Sequence, residues 1–162
     1  KTGFEIQRAL ISQIKNNPNI DVYENHFAIE IITQHHLGRA NEPWMNDIEC
    51  YGAYVLDEST NRVITFLSKI TMMATGGIGN VYQITTNPTI STGDGIAMVF
   101  RAKGVIQGME FVQFHPTALY CKDKKTMPLV SESARGEGAK LVDLNGEYFA
   151  KHYHHQADLQ LL

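Results

Sequence analysis

The feature that most constrains this chain is an apolar run, Ile70-Thr71-Met72-Met73-Ala74, that passes without a break into Thr75-Gly76-Gly77. Such a run has the composition of a strand buried in a parallel sheet. Open α/β sheets bind ligands beyond the carboxyl ends of their strands, where paired glycines let the backbone approach a flat or phosphorylated group. A plain turn fits the same residues, because glycine is the ordinary turn residue.

Periodicity places further elements around this one. A helix is expected over 4–15, stopped by Asn16-Asn17-Pro18. Strands are expected over 20–23 and 27–32, followed by a polar loop over 35–47. Residues 50–56 and 63–67 read as a hairpin around Asp57-Glu58-Ser59-Thr60-Asn61, a turn too long to fix the register. A helix over 93–103, a strand over 109–114, a helix over 129–140 and a turn over 143–146 complete the expectation. The fold class is α/β, with a β-meander inserted before the return to a central strand.

Three segments carry candidate chemistry. Ser91-Thr92-Gly93-Asp94-Gly95 opens a helix, where Ser91 or Thr92 suits the cap and Asp94 suits the helix dipole. A carboxylate there also suits sugar-type hydroxyls. His115 ends an apolar stretch and is held extended by Pro116, with Gln113 on the same face. It suits a satisfied interior histidine, or a donor to a carboxylate. Ser131-Glu132 and Arg135-Gly136-Glu137-Gly138 put a hydroxyl, carboxylates and a guanidinium within eight positions. They fit an exposed ion-paired helix end or a polar ligand site.

Other classes find little support. A net charge of −3 and scattered basic residues give no footprint for nucleic acid. No apolar run reaches the length of a membrane span. Cys50 and Cys121 form no paired-spacing pattern, which fits free thiols in a reducing cytoplasm. His35-His36 and His152 with His154-His155 lack the spaced partners of a metal site, so no metal is expected.

Taken in order, Ala74-Thr75-Gly76-Gly77, Tyr82 to Pro88, Thr92-Gly93-Asp94-Gly95, Phe114-His115-Pro116-Thr117, Glu132 and Arg135-Gly136-Glu137-Gly138 resemble the succinate dehydrogenase/fumarate reductase flavoprotein family. Thr85-Thr86-Asn87-Pro88 and the residues after His115 and Gly136 are most similar to its members that oxidise L-aspartate. The resemblance runs from Met73 to Phe149, extends over 2–32 and fades across 35–47.

It implies a partial, Rossmann-like FAD-binding domain over 1–108 and the start of an α+β capping domain over 109–162. It implies FAD contacts at Phe27, Ala28, Ala74, Thr75, Gly76, Gly77 and Asp94. Substrate contacts would fall at His115, Ser131 and Glu132, with Arg135 structural. The implied chemistry is hydride transfer from a C4 dicarboxylate, L-aspartate, to flavin, giving iminoaspartate for quinolinate and NAD synthesis. Oxygen or fumarate would take the electrons, and quinolinate synthase would act downstream. A soluble fumarate reductase or succinate dehydrogenase flavoprotein is the nearest alternative, and a non-catalytic truncated product a third.

The family's N-terminal glycine-rich βαβ unit has no counterpart in these residues. Its catalytic arginine follows a segment like Ala157-Asp158-Leu159, which here continues as Gln160-Leu161-Leu162. No catalytic residue is therefore expected within the chain, and by itself it is expected neither to retain FAD nor to turn over substrate. Gly76-Gly77, Asp94 and His115 are expected to surround one flavin-and-dicarboxylate pocket.

Overall fold

A computed structural model describes residues 2–39 and 47–155. The chain divides into two units, Lys1–Met72 with Arg101–Gly104, and Met73–Phe100 with Val105–Leu162.

In the first unit, α1 (Thr2–Lys15) forms as its periodicity predicts, supported by an ion pair of 2.8 Å between Glu5 and Arg8. None of its side chains is buried. Three strands, β1 (His26–Thr33), β2 (Cys50–Asp57) and β3 (Arg62–Leu67), make an antiparallel meander in sequence order. Register is set by the β2–β3 turn, in which Asp57 accepts from the Ser59 amide at 2.9 Å and the Thr60 hydroxyl at 2.7 Å. Ile31 and Ile32 of β1 are the buried apolar residues of this unit. A bulge between Ala28 and Glu30 puts Ile29 out of the ladder. Arg101 occupies that gap: Nη2 donates to the Ile29 carbonyl and Nε pairs with Glu30, each at 2.9 Å. The expected loop over 35–47 begins with a 3-10 turn, Gln34–Leu37, and its residues 40–46 lie outside the described residues.

The second unit holds α2 (Asp94–Arg101, whose last residue belongs to the first unit) and α3 (Glu132–Gly136). Met98, Met127 and Ala150 are its buried apolar residues. The expected turn over 143–146 is present, with the Gly146 amide donating to the Asp143 carbonyl at 3.0 Å.

Four expected elements differ. Residues 20–23, 70–74 and 109–114 are not strands. Each has strand-like composition, but a strand exists only when a neighbour takes its amides and carbonyls. No described segment pairs with them, and Ile70, Met72 and Phe111 stay 82–87% exposed. The helix expected over 129–140 shortens to α3, because Gly138 at φ +95° turns the chain and the Gly138 amide closes back on the Arg135 carbonyl. The architecture is thus a small α/β arrangement with a three-stranded antiparallel sheet. Among the described residues no helix is long and apolar enough to cross a membrane.

Candidate functional site

The second unit brings the 74–77 glycine loop and the start of α2 to one corner. The Thr75 hydroxyl stands where a Cβ on Gly95 would be, and the Ile78 side chain covers Gly93, whose φ is +81°. The Asn80 amide donates to the Ser91 carbonyl at 3.0 Å and its side chain to the Pro88 carbonyl at 2.6 Å. These contacts fix Asp94 at the first turn of α2, where its carboxylate accepts from the Thr92 hydroxyl at 2.6 Å and stays exposed. Thr92, not Ser91, is the residue that engages it. Beside it, Gly76 and Gly77 present bare backbone, since a Cβ on either would meet nothing within 4 Å.

A second set forms around His115, which lines a cavity of about 230 Å³ with Gln113, Tyr82, Thr85 and Asn87. His115 Nε2 lies 3.7 Å from Glu132 Oε1. Glu132 takes this place because it opens α3, whose cap is Ser131; the Ser131 hydroxyl accepts from the Ser133 amide at 3.3 Å. All three expected substrate residues therefore gather at one helix start. Arg135 is buried, while Ser131, Glu132 and Glu137 of the same segment stay exposed.

Thr85 organises the opposite wall. It is buried, exchanges backbone bonds with Lys125 and Met127, and takes the Asn87 amide on its hydroxyl at 3.1 Å. Neither Tyr82, Thr85 nor Asn87 was singled out by local sequence chemistry; only the order of motifs contained them.

The single expected pocket is not formed as such. Gly76, Gly77 and Asp94 do not line the cavity of His115. Residues 78–87 stand between the two sets, with Ile78 on the α2 side and Gly79, Thr85 and Asn87 on the His115 side. Phe27 and Ala28 lie in the first unit, on β1 opposite Leu56 and Val55. The segment with Ala157-Asp158-Leu159 lies outside the described residues. Cys50 and Cys121 are both free thiols.

Comparison with known proteins decides the family. The profile described as FAD binding domain matches residues 1–161. The chain belongs to the FAD binding domain family. Among curated relatives, a chloroplastic L-aspartate oxidase 2-b of Nicotiana tabacum is 44% identical over 98% of this chain and 24% of its own length. L-aspartate oxidase 1 of Ralstonia nicotianae is 43% identical over 98% of this chain and 28% of its own. A solved quinol-fumarate reductase with menaquinol molecules aligns at a TM-score of 0.74 and 30% identity, covering 94% of this chain and 24% of that one. The chain thus spans about a quarter of the length of these relatives.

The family's cofactor is FAD, and the residues at the α2 corner fit it. Open glycine backbone admits a flat ring or a phosphate without a Cβ in the way, and the exposed Asp94 carboxylate is an acceptor for ribityl or ribose hydroxyls.

Proposed function

We propose that these residues serve an FAD-dependent L-aspartate oxidase, supplying part of its flavin site and part of its substrate site. The observation that carries the reading is the approach of Glu132, capped by Ser131, to His115, which itself lines a cavity with Gln113, Tyr82 and Thr85, in a chain of the FAD binding domain family. Identity of 42–44% to several L-aspartate oxidases supports the aspartate-oxidising branch.

In this reading residues 1–108 belong to a Rossmann-like FAD-binding domain and 109–162 to the capping domain. Ala74 to Gly77 and Asp94 border the flavin, with Phe27 and Ala28 at its adenine end. Bound flavin supplies the hydride acceptor, as cofactors carry the redox chemistry while the protein orients and polarises. His115 receives one carboxylate of L-aspartate, and Ser131 and Glu132 align its other polar groups, acting by positioning. Iminoaspartate is the product, oxygen or fumarate the electron acceptor, quinolinate synthase the downstream partner and a reducing cytoplasm the setting.

The test is made in the protein that carries this segment with the rest of its relatives' length. Aspartate-dependent peroxide release is expected to exceed succinate-dependent dye reduction. The reverse ranking would assign the fumarate reductase/succinate dehydrogenase reading, which the likeness at a TM-score of 0.74 favours as second. Neither activity in a stoichiometric flavoprotein would remove both.

A further inference from the structure

His115 is bracketed by its own main chain. Its Nδ1 lies 2.8 Å from the Thr117 carbonyl oxygen and 3.2 Å from the Thr117 amide. The two contacts ask for opposite states of Nδ1. If Nδ1 were bare, two lone pairs would face each other at 2.8 Å, the length of a good N–H···O bond, and the contact would be repulsive. If Nδ1 carries hydrogen, the shorter contact becomes a bond and only the longer one is lost. The shorter contact decides. The carbonyl has a second lone pair for the Val130 amide, which donates to it at 3.2 Å.

We infer that the Thr117 carbonyl is a positioning group that holds neutral His115 as its Nδ1–H tautomer, so that the ring meets a substrate carboxylate only after Nε2 has gained a proton. The inference rests on the reading of His115 as a substrate ligand. A neutral Nδ1–H imidazole offers a lone pair at Nε2, toward the Glu132 carboxylate at 3.7 Å, and can donate nothing to a second carboxylate. The imidazolium keeps Nδ1–H on the Thr117 oxygen and gains an Nε2–H for a substrate carboxylate, since Glu132 at 3.7 Å is beyond hydrogen-bond length. Dicarboxylate uptake is then coupled to uptake of one proton.

The other groups around the cavity leave this role to His115. Residues 79–87 bring Tyr82, whose ring packs on Phe114 at 5.1 Å between centroids, and no charged side chain. Residues 118–127 bring Ala118 and Met127, while the Lys125 ammonium donates to the Asn80 carbonyl at 3.0 Å. Glu132, from α3, approaches the His115 ring at 3.7 Å without lining the cavity.

The experiment has two parts. In the 162-residue chain labelled with 15N-histidine, long-range 1H–15N correlation reads the tautomer of each neutral imidazole, and His115→Gln identifies the signal. The Nδ1–H pattern is expected for His115. Thr117→Val keeps the carbonyl and removes only a buried hydroxyl that has no partner, so it should keep the same pattern. An Nε2–H pattern, or a tautomer that changes in Thr117→Val, overturns the inference. In the flavin-loaded parent, binding of the dicarboxylate in weakly buffered solution should take up protons, read by a pH indicator. Binding without proton uptake, together with an Nδ1–H tautomer, also overturns it. If His115→Gln leaves KM and kcat untouched, the substrate reading beneath the inference fails, and the tautomer result stands apart from that failure.

Discussion

The hydroxyl of Thr75 fills the space that a side chain on Gly95 would need. Residues 20 apart in sequence thus meet backbone to side chain, and the contact sets where α2 begins and where Asp94 stands. Gly95→Ala forces Thr75 to move or α2 to shift. Overpacking of this kind costs about 1–3 kcal/mol, read as a lower urea midpoint at unchanged slope. Removing the obstacle in the double variant Thr75→Gly/Gly95→Ala should return most of that loss, as expected of residues in contact.

Gly52 is the equivalent constraint in the sheet. Its φ is +137°, and a Cβ there would run into the Phe66 carbonyl on β3. Gly52→Ala combines a backbone conformation closed to alanine with a clash against backbone that cannot swing away. A loss of at least about 2 kcal/mol is expected. Loss of strand signal in circular dichroism, together with a lower melting temperature, would report it; an unchanged melt would contradict the geometry.

The contrast between these sites and the misplaced elements shows what the sequence carries. The meander was legible because alternation in 27–32 and the polar run from Asp57 to Asn61 are local signals, complete within a few residues. Segments 20–23, 70–74 and 109–114 advertise strand composition equally well, but pairing is a property of two segments and no described segment supplies the second. At the candidate site, Asp94 announced itself by helix-start chemistry, whereas Gly76 and Gly77 were read from a strand end over 70–74 that does not form. The approach of His115 to Glu132 did not announce itself, since it bridges 17 positions and depends on where α3 begins. Thr85 had no local signal at all: its importance comes from its place between Lys125, Met127 and Asn87.

Lys103 holds φ +63°, a left-handed conformation that costs a lysine about 1–2 kcal/mol. Asn25 and Asn61 share that region, but asparagine tolerates it. Lys103→Gly removes the strain and adds about 0.5–1 kcal/mol of unfolded-state entropy cost. The net expectation is a gain of roughly 0.5–1 kcal/mol, visible as a higher melting temperature. A lower one would mean that the lysine side chain contributes more than its backbone costs.

Acid should loosen the β2–β3 turn before it touches the rest of the sheet. Hydrogen bonds from the Ser59 and then the Thr60 side chain hold the Asp57 carboxyl down, from 3.8 to about 2. A carboxyl depressed in the folded state contributes stability that is fully present above its unfolded value. That contribution is lost as pH falls through the folded value. The window is therefore from about pH 4 down to about pH 2. Asp143 is also lowered, chiefly by the Glu147 amide, and acts in the same direction at the turn over 143–146. Melting temperatures between pH 5 and pH 2.5 should fall more steeply for the unaltered chain than for Asp57→Asn, and the curve should flatten further when Asp143→Asn is added. Parallel curves would show that neither turn draws stability from its ionised carboxylate.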